Sequence, residues 1–365
     1  MKHIAIDARE SGTTTGRYID KLIEYLHQLS PGLSITILTK QSRLDYMNGI
    51  APNFKAVASP YKAFTFAEQI GLKKQLKKID ADLVHFCMVQ QPVFYRGTVV
   101  SNMLDLTTVR FRNPVKNQLL FTVKQWVYIW VNKRVAKKSQ AIITPTQYVK
   151  ADVAEYTNID PSKITVAYGA ADPITDPAEP VPALIDKQYL MYIGRPLPHK
   201  NLWRLIEAFQ LLQAQHPQLH LVLAGKKDVL YSQIESRVQA VNIKNVIFTD
   251  FVSEGQLRWL YEHCAAYTFP SLSEGFGLPG LEAMIHGAPV VSSNATCLPE
   301  VYGDAAHYFD PLDVQNMSDA INEVLTDKAL RQKLITAGKQ QAAKYSWQRM
   351  AEQTLAVYNK VLDQK

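Results

Sequence analysis

Short apolar runs rich in β-branched residues alternate along the whole chain with amphipathic stretches of helical length. In the first half, runs at 3–6, 34–39, 83–86, 98–101, 141–144 and 164–167 read as strands. Stretches at 16–29, 66–78, 117–138 and 148–156 read as the helices between them. A segment crowded with Pro, Asp and Ala at 172–182 interrupts the pattern and reads as a linker. The alternation then restarts, with strands at 189–193, 219–224, 246–248, 266–269, 289–292 and 307–309. Helices are expected to begin near Leu202, Leu230, Glu254, Leu278 and Val314, and a last amphipathic helix covers 347–362. Strand–helix alternation of this kind requires crossover connections, so it predicts an α/β fold with two parallel, doubly wound sheets. The expected organisation is an N-terminal domain over 1–172, a linker over 173–186, a second domain over 187–346 and a terminal helix over 347–365.

A chain of 365 residues is long for one core, which agrees with that division. Three scattered cysteines, Cys87, Cys264 and Cys297, give neither a disulfide framework nor a metal-binding spacing, and read as small buried hydrophobes of a cytoplasmic protein. The start, M-K-H-I-A-I-D-A-R, reads as a strand and not as a secretory leader, and no apolar run has the length of a membrane span. The net charge of +7 is unevenly placed. Residues 1–180 hold 23 Lys/Arg against 15 Asp/Glu, while residues 181–365 hold 17 against 18. The densest basic piece, 113–138, interleaves Lys and Arg with Phe, Tyr and Trp at helical spacing. Two readings stand: a peripheral contact with an anionic membrane, or a helix packed on its own sheet with solvated lysines. No nucleic-acid-binding motif accompanies the charge.

The most informative stretch is S-E-G-F-G-L-P-G-L-E-A-M at 273–284. Glu274 and Glu282 flank seven residues that include three glycines and a proline. Gly275 and Gly277 permit close backbone approach to a ligand, and Pro279 suits a helix's first turn. A helix opening there aims free N–H groups at an anion, most simply a phosphate, and Glu282 could accept from a ligand's hydroxyls. A capped surface helix whose glutamates merely favour its N-terminus is the plainer alternative.

These residues resemble the Glu-x7-Glu signature of the family-4 retaining glycosyltransferases (glycosyl transferases group 1), which have the two-domain GT-B fold. Other segments follow in that family's order: G-R-P-L-P-H-K-N at 194–201, F-V-S-E-G-Q-L-R-W-L-Y at 251–261, A-P-V-V-S-S-N at 288–294, L-P-E at 298–300 and G-D-A-A at 303–306. The pattern is most similar to bacterial mannosyl- and glucosyltransferases. The resemblance implies two Rossmann-like domains facing a cleft, with the terminal helix crossing back to the first. It further implies a nucleoside-diphosphate hexose donor of the GDP-mannose or UDP-glucose type, a saccharide or lipid-linked hydroxyl acceptor, and neither cofactor nor metal.

By the same resemblance Arg195 and Lys200 bind the diphosphate, a fitting task for a planar guanidinium and a movable ammonium at a strand end. Glu282 holds the donor ribose and Glu274 lies near the donor sugar. Backbone groups of Gly275, Phe276, Gly277 and Leu278 meet phosphates and sugar hydroxyls, and Val252 meets the base. In the first domain S-G-T-T-T-G-R-Y at 11–18 resembles the family's first glycine-rich loop, with Gly16 against the diphosphate; a tight turn is the other reading. Asp105 is expected in catalysis, and Asp7, Arg9 and His85 on the acceptor side. Two places depart from the family. Asp250 precedes Phe251 where relatives commonly have a glycine and an aromatic before the Val252 loop, which leaves the base open. Leu104 stands where many relatives have a histidine before the aspartate, with Asn102 or His85 as substitutes. The departure at Leu104 keeps an impaired sugar-nucleotide-binding scaffold in play, and the shared architecture keeps a sugar-nucleotide epimerase.

Overall fold

The apolar runs pair into two parallel sheets in the computed structural model of the chain, which describes residues 1–13, 15–29, 32–112 and 118–364, with backbone alone for 118–121. By contact density the chain divides into two units. The first comprises Met1–Val109, Thr122–Gly169 and Ser346–Lys365. The second comprises Ala170–Tyr345 with the described part of Arg110–Phe121.

The first unit holds β1 (His3–Asp7), β2 (Ser34–Thr39), β3 (Lys55–Ala58), β4 (Leu83–Phe86), β5 (Val99–Asn102), β6 (Ala141–Thr144) and β7 (Ile164–Val166), in the order β3-β2-β1-β4-β5-β6-β7. Ile4 pairs with Ile35 on one side and Leu83 on the other. Ile4, Ala5 and Ile6 are wholly buried, as a strand covered on both faces requires. Each such isoleucine contributes roughly 1.5–3 kcal/mol by leaving water. The helix Gly16–Gln28 turns Tyr18, Ile19, Leu22, Ile23 and Leu26 inward, one stripe at a 3.6-residue period. Against it packs the terminal helix Trp347–Asp363, whose Ser346 cap accepts from Arg349 N–H.

The second unit holds β8 (Tyr189–Ile193), β9 (His220–Ala224), β10 (Val246–Asp250), β11 (Ala266–Phe269), β12 (Val290–Ser293) and β13 (Ala306–Phe309), in the order β10-β9-β8-β11-β12-β13. Leu190 sits between Leu221 and Ala266 in register. Order reverses between β8 and β11, the switch point where open α/β sheets leave a crevice at their carboxyl edge.

Some elements depart from expectation. The run at 66–78 is not one α-helix: Glu68–Leu72 takes wider π-type turns before the helix Lys73–Ile79. Glu68 is buried there with its carboxylate on Arg9 and on the Phe64 N–H. The helices Leu44–Ile50 and Lys328–Ala342 and the strand β3 were not anticipated. No helix among the described residues is long and apolar enough to cross a membrane.

Candidate active site

In the second unit, the candidate residues gather at the carboxyl ends of β8, β10 and β11. After Ile193 the chain turns through Gly194 at φ +141°, a conformation that side chains rarely adopt. Tyr231 braces this turn by donating its hydroxyl to Gly194 O at 2.7 Å. Arg195 follows, 61% exposed, its Nε donating to Asp228 Oδ2 at 2.7 Å. Asp228 also caps the helix Val229–Ala240, accepting from the N–H groups of Leu230 and Tyr231. Desolvation pushes that carboxyl up, but the Arg195 hydrogen bond and the two N–H donors prevail and hold it below the usual range.

A 3-10 turn, Pro198–Lys200, then aims Lys200 at Glu274, with Nζ to Oε1 at 2.6 Å and both side chains largely buried. Asn201 holds this turn. Its φ is +58°, and its amide donates to the carbonyls of Pro270 and Pro311 at 3.1 and 2.7 Å, tying the loops after β11 and β13 to the loop after β8. His199 lies beside the pair. Burial, aided by the Lys200 charge and opposed by Glu274, lowers its pKa to about 4, so the ring is neutral at pH 7.

The loop from Ser271 to Gly277 leads from β11 into the helix Leu278–Ile285. Glu274 N–H donates to Thr296 Oγ1, and the Cys297 thiol donates to the Glu274 carbonyl, so the segment after β12 fixes the main chain that carries this carboxylate. Gly277 caps the helix at φ +91°. A Cβ there would lie 2.5 Å from the Tyr302 hydroxyl and 2.8 Å from Leu298 Cδ2. Tyr302, fully buried, donates to Gly277 O at 2.6 Å. Phe276 packs edge-on against Tyr345 at 5.4 Å between ring centres. Glu282 lies one turn into the helix and accepts from Tyr261 at 3.4 Å. The loop thus presents Gly275, Phe276, Gly277 and Leu278 along a helix N-terminus, with one glutamate before it and one within it.

At the end of β10, Asp250 takes φ +59° and accepts from Lys227 N–H at 2.7 Å. That backbone hydrogen bond is the main reason its carboxyl is held below the usual range. Phe251 is exposed, and Val252 stands half-buried just before Ser253, which caps the helix Glu254–His263 in a reciprocal capping box with Gln256.

In the first unit, Gly16 opens the helix Gly16–Gln28, and a Cβ on it would collide with the Glu10 carbonyl, so only glycine fits. Asp105 follows β5, half-buried beside Leu104, and accepts from Thr107 N–H at 2.7 Å. Asp7 and Arg9, expected on the acceptor side, lie buried at the carboxyl end of β1. Arg9 donates to both Asp7 carboxylate oxygens, to Glu68 at 2.9 Å and to the Tyr61 carbonyl at 2.7 Å. His85 is wholly buried, with Nε2 at 2.8 Å from Asn102 Oδ1 and Nδ1 at 2.6 Å from the Tyr358 hydroxyl. Burial lowers its pKa to about 4 against the opposing influence of Asn102 and Asp7. These three side chains support the sheet edge from within. Asn102 and His85, the two substitutes considered for the histidine absent at Leu104, bond to each other in the interior.

Asp228, Asn201, Thr296 and Tyr302 were missed in the sequence. A faint signal existed for Asn201, since asparagine tolerates the left-handed region where a turn enters a helix. Asp228 and Tyr302 gave none, because they lie 33 and 25 residues from the groups they serve. Among the described residues no group of three or more His, Cys, Asp and Glu is placed to hold a metal.

Residues 15–174 match the family model described as Glycosyltransferase Family 4, and residues 179–341 match that of Glycosyl transferases group 1. The serotype-specific mannosyltransferase WbdA of Escherichia coli is 34% identical over 241 residues, which are 62% of this chain and 29% of that protein. The O-antigen chain mannosyltransferase B of Escherichia coli is 34% identical over 233 residues, 60% of each chain. The chain thus spans between about a third and three fifths of these relatives' lengths. Among solved structures, sucrose-phosphate synthase from Thermosynechococcus elongatus superposes with a TM-score of 0.78 at 18% identity, covering all of both chains. Anabaena Alr3699/HepE, solved in complex with UDP and glucose, gives 0.74 at 15% identity over 99% of this chain and 100% of that one.

Proposed function

The chain belongs to the glycosyl transferases of group 1 and family 4, with the GT-B fold, and on that premise we propose that it transfers a hexose from a nucleoside-diphosphate sugar to a hydroxyl acceptor with retention of anomeric configuration. The observation that carries this reading is the Lys200–Glu274 pair at 2.6 Å, flanked by Arg195 on the same strand end and by the Gly277 helix terminus. Two cations and a row of N–H groups suit a departing diphosphate, because fixed donors stabilise developing charge without reorganising. Arg195 and Lys200 take that charge, and the N–H groups of Phe276, Gly277 and Leu278 meet phosphates and sugar hydroxyls. Glu282 accepts from the ribose, Glu274 faces the sugar, and Val252 meets the base through its backbone. On the same reading Gly16 serves the diphosphate and Asp105 the reaction. The departing phosphate accepts the acceptor's proton on the face from which it leaves, and the charge balance requires no metal.

The mannosyltransferase relatives favour GDP-mannose as donor, and the solved neighbour with UDP favours a uridine nucleotide. Saccharide or lipid-linked acceptors of polysaccharide assembly fit the relatives named for O-antigen chains. We read the basic, aromatic segment 113–138 as a peripheral membrane contact for such acceptors; residues 113–117 of it lie outside the described residues.

A thermal-shift panel of GDP, UDP, ADP and their hexose conjugates, with EDTA present, tests the reading. A ligand at ~100 times its dissociation constant adds about 2.7 kcal/mol of stability. One base should shift the wild type and leave Arg195→Ala unmoved, and Arg195→Ala should lose on the order of 100-fold in turnover. Absence of a shift with every nucleotide would overturn the assignment in favour of an inert scaffold.

A further inference from the structure

On the first unit, a cavity of about 590 Å³ opens at the amino-terminal edge of the sheet, the edge opposite Asp7 and Asp105. Gly97 lies just before β5 and Gln140 just before β6, where the Gln140 side chain accepts from Val99 N–H at 2.7 Å. Five cations line the cavity: Lys73, Lys77, Arg96, Arg134 and Lys138. No carboxylate joins them among the lining residues. Basic groups suit helix C-termini, which accounts for Lys77 and Lys138 taken singly. It does not account for Arg96 on a loop, nor for the convergence of five like charges on one hollow. Lys73 and Lys77, four residues apart on one helix, repel each other. Lys138 is mostly buried, its Nζ within 3.4 Å of Gln91 Oε1 and of the Pro92 carbonyl. Desolvation first, then Arg134 and Lys73, lowers its pKa to about 8. A site with that potential is completed by an anion.

The surface beside the cavity narrows the choice of anion. On the helix Gln118–Lys138, Val123, Trp126, Val127 and Trp130 stand at i, i+3, i+4 and i+7, forming one stripe whose members are 48–74% exposed. Four and eight residues beyond Trp130, Arg134 and Lys138 carry the stripe into the cavity. Arg134 lies over both Phe94 and Trp130, at 5.1 and 5.8 Å from their ring centres, and Phe94 is itself 55% exposed. Exposed tryptophans flanked by cations suit a bilayer interface, with rings at headgroup depth and charges on phosphates.

We propose that this cavity binds the phosphate headgroup of an anionic lipid, with Phe94, Trp126 and Trp130 seated in the interface beside it. The inference deepens the membrane contact proposed for 113–138 and is independent of the nucleotide reading. Phosphatidic acid presents a phosphomonoester of the right charge, and glycerol 3-phosphate presents the same group without a bilayer.

The test is cosedimentation of the full chain with vesicles of phosphatidylcholine containing one fifth phosphatidic acid, with titration calorimetry against glycerol 3-phosphate. Wild type should bind the anionic vesicles and not pure phosphatidylcholine. The triple variant Lys73→Gln, Lys77→Gln, Arg96→Gln should partition on the order of 100-fold less, the scale expected for three surface cations. A charge-matched control in the second unit, Lys244→Gln, Lys328→Gln, Lys333→Gln, should partition as wild type does, Trp126→Ala should weaken vesicle binding, and glycerol 3-phosphate in free solution should give no binding heat with the wild type. Equal loss in the two triple variants would overturn the cavity in favour of diffuse attraction. No vesicle binding, or glycerol 3-phosphate binding unaided by a bilayer, would overturn the lipid. Thermal shifts with nucleotide, run on the same variants, separate these failures from failure of the transferase reading.

Discussion

Gly277 shows how much one residue decides. Its φ of +91°, the Tyr302 hydroxyl against its carbonyl and the absent Cβ together set where the helix Leu278–Ile285 begins. Gly277→Ala meets both the positive φ and two contacts of 2.5 and 2.8 Å. Its expected cost is about 1–3 kcal/mol, read as a lower midpoint in denaturant, with nucleotide affinity falling further because the N–H groups shift. Unchanged stability would show that the loop accommodates a methyl group freely. At this scale the site was legible where chemistry is local. Arg195 and Lys200 stood out because they follow directly on an apolar run, and Glu274 and Glu282 because glycines and a proline separate them. Asp228 and Tyr302 were silent, since a carboxylate that caps one helix and a tyrosine inside another look ordinary until the fold brings them to Arg195 and Gly277.

Elements carry the next lesson through the terminal helix Trp347–Asp363 and β4, joined by His85 and Tyr358 at 2.6 Å. The buried imidazole is neutral, with its pKa lowered to about 4, whereas in the unfolded chain it titrates near 6.5. The unfolded state therefore binds the extra proton first, and stability falls as pH drops from about 6.5 toward 4. A shift of that size corresponds to on the order of 3 kcal/mol from His85, with His199 acting in the same direction. Urea titrations between pH 7 and pH 4 should show this decline, and His85→Gln should be weaker at pH 7 yet flatter across the range. An identical slope in the variant would assign the acid sensitivity elsewhere. Elements with strong apolar runs were readable almost to the residue, as β2, β4, β6, β8 and β11 show. The strand β3, K-A-V-A and at most half-buried, has too little apolar contrast to announce itself, and pairs only because β2 offers an edge. The π-type turns at Glu68–Leu72 were likewise unreadable, because they follow the burial of Glu68 on Arg9, a contact 59 residues apart.

Taken whole, the protein has two sheets, each with its own core, so heat should unfold it in two steps visible by calorimetry. Saturating nucleotide should raise chiefly the step belonging to the second unit, which supplies most of the proposed donor contacts, by about 2.7 kcal/mol at ~100 times the dissociation constant. A single transition that moves as one would show the units to be thermodynamically fused. The paired charges of the second unit have a consequence for life in a crowded electrolyte. Arg195 and Lys200 are already answered by Asp228 and Glu274. Chloride or free phosphate arriving there gains little, because it offers only what a tethered carboxylate supplies at far higher local concentration. To unseat the incumbents a guest must bring linked phosphates, hydroxyls and a base at once. On the proposed donor-binding reading, the two carboxylates act as placeholders, keeping the seat from common anions and yielding it to the one visitor that offers more than charge.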